Sequence, residues 1–270
     1  MPSVARPTFQ SACRQWRQMR KFSQLDLALE ADISQRHISW LETGRSQPSR
    51  EMVTRLSEAM DIPLRERNAF LQAAGFSAAY RETNLDEPSM TPVMEAVKQV
   101  LKHHDPLPAI VVDRFWNIKM QNKAAMVLIE LTDAPEKMRE IQNANGELNA
   151  AMMTLHPEGL RKHIKNWDQA APAFIQRLKS EAIASGDPEL QARLKSYIEM
   201  VSPLEQAFEM SDQLLPVLPL ELSFNGLELS LFSVISTFGT PQDITTDELR
   251  IEAFYPTDEK TRAFFTTEVA

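Results

Sequence analysis

A chain of 270 residues with 43% apolar content is too rich in core-forming side chains to be disordered and long enough for two domains. Its single cysteine, Cys13, excludes an intramolecular disulfide framework and any multi-cysteine zinc site, which fits a reducing cytoplasm. The net charge of −8 argues against a nucleic-acid partner until it is divided: residues 1–80 hold 11 Lys+Arg against 8 Asp+Glu, and the remainder holds 18 against 29, so only the first part suits a polyanion.

The N-terminus has no apolar h-region, and no run of about 18 apolar residues occurs, so neither a signal peptide nor a membrane span is expected. Five short helices are predicted first. Thr8 caps Phe9–Arg20, and Ser23 caps Gln24–Glu30 with Asp26 as the capping-box acid. Ser34 caps Gln35–Glu42, which stops before Gly44. Arg50–Met60 follows Ser49, and Pro63 opens Leu64–Ala74.

A polar seam at 81–92, with Pro88 and Pro92, separates this part from a mixed one. There, 109–113 and 116–121 read as a strand pair, and Asn122 caps a helix. Residues 136–210 read as mostly helical. Asn225-Gly226 predicts a two-residue hairpin with Phe224 facing Leu227, Leu222 facing Leu229 and Leu220 facing Leu231. A last strand at 248–255 brings the number to at least five. The expectation is an antiparallel sheet with one apolar face covered by helices.

Residues 23–44 carry the functional argument. Leu25, Ala28 and Leu29 are expected on the buried face of the second helix, Ile38 and Leu41 on that of the third, and Ile33 at the corner. Asp32 sits in the turn, where it tolerates the left-handed conformation. The outer face of the third helix then carries Gln35, Arg36, Ser39 and Trp40, with His37 at its edge. Gln and Arg are the bidentate readers of adenine and guanine edges, and they stand in the turn that enters the major groove. Gln24, Ser34, His37, Thr43, Arg45 and Ser46 are candidates for backbone phosphates.

This segment closely resembles the XRE family of helix-turn-helix proteins, the phage repressors and Cro. The resemblance rests on Ser23-Gln24, Ser34-Gln35, Leu41-Glu42-Thr43-Gly44-Arg45 and Pro48-Ser49. It implies a structural pair between Arg17 of the first helix and Glu42. The family's usual turn glycine is Asp32 here.

Further along, 65–76, 107–125, 155–167 and 238–258 resemble the MmyB-like regulators, which couple such a head to a PAS-like ligand-binding domain. The resemblance implies a small-molecule sensor for fatty-acid-like or other apolar ligands. Met120, Met152, Met153, Trp167, Phe174, Leu222 and Phe232 are apolar enough to line its pocket, though such side chains are also ordinary core. The run 156–161 offers Arg161 to a carboxylate, or is a helix start with Pro157 in its first turn.

No GxSxG, HExxH, P-loop or GxGxxG occurs, so neither an enzyme nor a metal site is expected; His103-His104-Asp105 reads as a solvated helix end. The reading is a two-domain protein: an all-α, five-helix helix-turn-helix domain at 1–80, a linker at 81–92, and an α+β PAS-like domain with a five-stranded antiparallel sheet at 93–270. Its expected partners are double-stranded DNA, a second copy of the chain and an apolar small molecule, with no cofactor. The alternative is an antitoxin-like interaction scaffold whose second domain only dimerises.

Overall fold

The computed structural model describes residues 7–132, 141–199 and 216–268. They form two compact units: one of residues up to 83 with the short segments 185–187 and 241–247, the other of the remaining residues.

In the first unit the helices are α1 (Phe9–Met19), α2 (Gln24–Glu30), α3 (Gln35–Thr43), α4 (Arg50–Ala59) and α5 (Leu64–Ala73). Their ends follow local chemistry. Thr8, Ser23, Ser34 and Ser49 each accept a hydrogen bond from a first-turn backbone amide. Asp26 completes the capping box by accepting from the Ser23 amide. Gly44 ends α3 in the left-handed conformation, and the Arg45 amide folds back onto the Trp40 carbonyl. Asp32 stands at φ +50° in the turn between α2 and α3.

The buried face of α2 differs from the expected one. Leu27, Ala28 and Ala31 are buried, while Leu25 is 51% and Leu29 72% exposed. Leucines at 25, 27 and 29 fit more than one helical phase, and a helix of seven residues is too short to choose between them. Contacts with the rest of the unit make the choice. Leu27 and Ala28 join Phe9, Trp16, Ile38, Leu41, Val53 and Phe70 in one core, and Ile33 packs at its edge.

The second unit is built on a five-stranded antiparallel sheet in the order β2-β1-β5-β4-β3. The strands are β1 (Ala109–Val112), β2 (Ile118–Gln121), β3 (Leu220–Phe224), β4 (Leu227–Ser236) and β5 (Arg250–Pro256). The β3–β4 hairpin has the expected register, with Asn225 at φ +48° and Gly226 at +95° in the turn.

The helices of this unit are α6 (Thr91–His104), α7 (Lys123–Glu130), α8 (Ala150–Leu155), α9 (Trp167–Ser185), α10 (Pro188–Glu199) and α12 (Glu259–Glu268), while the short α11 (Ile244–Glu248) falls almost wholly in the 241–247 segment of the first unit. One face of the sheet meets α7, α8 and α9. Contrary to expectation, the other face is also partly covered, because Val97 and Leu101 of α6 pack on Ala109, Val111 and Ile251. Asn122 ties the two layers together. Its Oδ1 accepts from the amides of Ala109 and Ala125, and its Nδ2 donates to Asp105 and to the Leu107 carbonyl.

Within the expected helical stretch 136–210, residues 136–140 and 200–210 lie outside the described residues. Residues 142–149 form an irregular segment bridged through Gln142–Leu148 and Asn117–Asn149, and the α-helix that follows it starts at Ala150. Pro157 does not open a helix. It lies in a turn ahead of a short 3-10 segment, Leu160–His163. At Gly159 a Cβ would sit 2.2 Å from the Met153 carbonyl, so the chain passes there only without a side chain. His104 is not simply solvated, because its Nε2 is 2.9 Å from the Phe254 carbonyl and its ring stands edge-on to Tyr255.

Candidate functional site

Two places in the chain carry unused chemistry, one in each unit. The first is the outer face of α3. Ile38 and Leu41 are fully buried and lock the helix onto the core. Gln35 and Arg36 are exposed in its first turn, and Ser39, Trp40 and His37 are half-buried. The Arg36 guanidinium lies over the Trp40 ring, 4.5 Å from its centroid, so the i,i+4 pair holds the arginine against the helix.

Thr43 and Arg45 are exposed and Ser46 is half-buried. The Ser34 hydroxyl serves as the cap of α3, and the Thr43 hydroxyl donates to the Ser39 carbonyl at 2.7 Å. Gln24 has a different occupation from the phosphate contact expected of it, since its Nε2 donates to Glu42 at 2.8 Å.

Glu42 anchors this face from behind. It is 3% exposed. Arg17 grips it with both ends of its fork, Nε to Oε1 at 2.6 Å and Nη2 to Oε2 at 3.1 Å, while Arg17 Nη1 donates to the Phe22 carbonyl. Burial would raise the Glu42 carboxyl. Hydrogen bonds from Arg17 and Gln24, with the charges of Arg17 and Arg14, outweigh it and hold the group below the usual carboxylate range. Burial and the neighbouring Glu42 push the Cys13 thiol up to about 12, so it is an inert core residue.

The second place is a cavity of about 270 Å³ in the second unit, between the sheet and the helices that cover it. Ile110, Ile118, Leu231 and Phe254 form its floor. Leu128, Ile129, Met153, Trp167 and Phe174 form much of its other wall. Space remains because α9 presents Ala170, Ala171 and Ala173 there instead of larger side chains.

Trp116 is 1% exposed and held at φ +68°, a conformation unfavourable for a bulky residue. Its ring meets Phe174 edge-on at 5.2 Å, and its Nε1 donates to Glu181 at 3.0 Å. Strain of this kind persists where surrounding packing over-determines it.

The expected pocket residues divide. Trp167 and Phe174 line the cavity. Phe232 touches it, but strand alternation turns its side chain to the opposite face, where its ring stacks on Tyr255. Met120 is on that opposite face too, packed near Val97 and Leu101; its strand neighbour Ile118 faces the cavity instead. Met152 is replaced in the lining by Met153, the next residue of α8. Leu222 is buried in a separate cluster with Phe265, Leu160 and Ile164. Arg161 lies over the Trp167 ring and is not among the lining residues.

The charged lining residues, Arg177 and Glu252, went unrecognised in the sequence, as did most of the apolar ones. Glu252 shares a strand face with Phe254, and an acid at an inward position of a central strand was the one available signal.

The comparisons with known proteins agree with this division. Residues 93–267 match the family model of the MmyB-like transcription regulator ligand binding domain. Residues 14–67 match a helix-turn-helix model. None of the curated proteins matches the chain. Among solved structures, an RNA-binding light-oxygen-voltage receptor aligns at 11% identity with a TM-score of 0.24, covering 96% of this chain and 61% of that one. The chain thus spans about three-fifths of that receptor's length, and a likeness this low carries no argument.

Proposed function

The chain belongs to the MmyB-like transcription regulators, and on that premise we propose that α3 reads DNA while the cavity of the second unit holds an apolar small molecule that modulates binding. It is a DNA-binding regulator, and neither matched family is catalytic. No helix among the described residues is long and apolar enough to cross a membrane.

The observation that carries the DNA assignment is the exposed first turn of α3. Gln35 and Arg36 project from a helix whose far side is locked into a core, and Arg36 is pre-positioned on Trp40. Ser39 lies beside them, and Thr43, Arg45 and Ser46 supply donors for flanking phosphates. One such helix reads only a few base pairs, so a dimer on half-sites about 34 Å apart is the arrangement proposed. An antiparallel five-stranded sheet enclosing an apolar cavity supports the PAS-like sensor reading of the second unit. A ligand there changes DNA binding only by differing in affinity for two arrangements of that dimer.

Arg36→Ala is expected to weaken binding to a cognate duplex by about 1–3 kcal/mol and to relax the preference at one base position. Fluorescence anisotropy on a site selected by the wild-type protein, and on that site with each base varied, measures both. Unchanged affinity and specificity would remove α3 from the reading role. A steep loss of affinity with salt is the second requirement. The rival reading, a protein-interaction scaffold, is favoured if duplex binding lacks that slope.

A further inference from the structure

The first unit is not one stretch of chain. It takes in residues 185–187, where α9 ends, and 241–247, which lead into β5. Both segments pack on helices of that unit. Gly186 stands at φ +66°, and a Cβ there would sit 2.4 Å from Cη2 of Trp16. The Trp16 ring is 6% exposed and has no room to yield, so only a glycine lets the backbone lie on it.

The second segment is tied down at three points. Ile244 is buried, and its amide donates to the Arg81 carbonyl at 2.8 Å. The Thr83 hydroxyl donates to Asp243 at 2.6 Å. Asp247 Oδ2 accepts the Leu64 amide, the first of α5, at 3.2 Å. Pro63 precedes α5 and has no side-chain acceptor with which to cap it. Asp247, 183 positions beyond Leu64, supplies the carboxylate that the positive end of a helix favours.

Both contacts converge on α1. Trp16 belongs to it, and Phe9, two turns earlier, stacks on Phe70 of α5 with ring centroids 4.8 Å apart. Beside Trp16 is Arg17, whose fork holds Glu42 near the end of α3. Whatever seats α1 therefore bears on the reading helix.

Followed the other way, the same segments run into cavity walls. Phe174 and Arg177 of α9 line the cavity, as do Glu252 and Phe254 of β5. Glu181, four residues before Ser185, pairs with Arg250, three residues after Asp247, at 2.5 Å, and Arg177 reaches Glu252 at 3.5 Å. These ion pairs latch α9 to β5 just before each gives way to its segment of the first unit. A helix and a hydrogen-bonded strand pass a displacement along their length, so a change in the spacing of the walls arrives at Gly186 and Asp247.

We infer that Gly186 and Asp247 are positioning residues for the reading helix: through them the spacing of the cavity walls sets the seating of α1 and α5, and hence how firmly α3 is held for DNA. The inference takes the DNA role of α3 from the proposed function.

Glu181→Gln in the full chain opens the latch from the cavity side. It removes the charge that holds Arg250 and keeps an oxygen for the Trp116 indole. Amide exchange is expected to rise at least fivefold in α1 and in the first turn of α5, and affinity for a duplex selected by the wild-type protein to fall at least threefold. Glu147→Gln, which breaks a pair with Lys119 elsewhere in the second unit, is expected to leave both unchanged. Asp247→Ala is expected to speed exchange in the first turn of α5 by itself, and adding Glu181→Gln to it is expected to change that turn by less than twofold further. If Glu181→Gln does not fold, Arg250→Lys weakens the latch from its other half and takes its place in each comparison. Faster exchange confined to α9 and β5, an equal response of the first unit to Glu147→Gln, or full additivity in the double variant would overturn the positioning role and leave the DNA assignment standing. Exchange as expected with no duplex bound by the wild-type chain would overturn the DNA assignment and leave the link between the latch and α1 standing.

Discussion

Arg17→Met is expected to destabilise the first unit by about 3–5 kcal/mol at neutral pH, because it leaves Glu42 buried without its cationic partner. The loss exceeds what a surface ion pair would give. Among the described residues, Glu42 then keeps the amide of Gln24 and a distant Arg14, whose Nε is 3.8 Å away. Arg17 also satisfies the Phe22 carbonyl, so α1 loses its tie to the loop before α2.

Replacing both partners with apolar residues is expected to recover much of the loss, since the penalty arises from the orphaned charge more than from the missing attraction. The sign with pH follows from the lowered Glu42 carboxyl. Its contribution is complete above the unfolded-state value of about 4.3 and is lost as pH falls through the lower folded value. The mutant therefore loses this part of the wild-type acid sensitivity. Amide hydrogen exchange across α1 and α3 in the full chain reads both effects. Protection equal to wild type at pH 7 would show that the pair is dispensable.

Trp116→Ala is expected to cost the second unit about 3–5 kcal/mol, the range for removing a large aromatic from a core. The indole is nearly inaccessible, stands edge-on to Phe174, carries the Arg177 guanidinium on its face and donates to Glu181. Its removal leaves Glu181 one donor short and deprives Arg177 of its platform. The left-handed backbone at this position is not relieved by alanine, so no compensating gain is expected. The vacated ring enlarges the cavity, and a saturating apolar probe that binds the folded form is expected to restore part of the stability. Urea unfolding of the full chain, followed by circular dichroism with and without 1-octanol, measures both. A loss below about 1 kcal/mol would mean that the ring is not part of the structural wall.

The two candidate sites differed in how far the sequence exposed them. The face of α3 was legible because everything that orients it is local. Ser34 and Gly44 set its ends, Ile38 and Leu41 set its buried side, and the residues opposite follow from 3.6 residues per turn. The cavity was legible only in part, at Trp167 and Phe174, because its lining comes from strands and helices far apart in the chain. Met152 and Met153 are equally apolar, and only the packing of α8 selects the second. Met120 and Ile118 both lie on β2, and the side of the sheet that meets α9 decides which one faces the cavity.

By itself the sequence determined the five helices of the first unit with their caps, the left-handed Asp32, and the hairpin register at Asn225-Gly226. Each of these is a contest between neighbouring groups, settled within a few residues by hydrogen bonding and φ/ψ preference. Tertiary structure alone decided which side of α2 is buried, since its leucines fit more than one phase. It also decided that Arg177 and Glu252, 75 positions apart, meet at the end of an apolar cavity. Long-range packing decides such matters because burial rewards whichever face finds a partner, and that partner is not written in the local pattern.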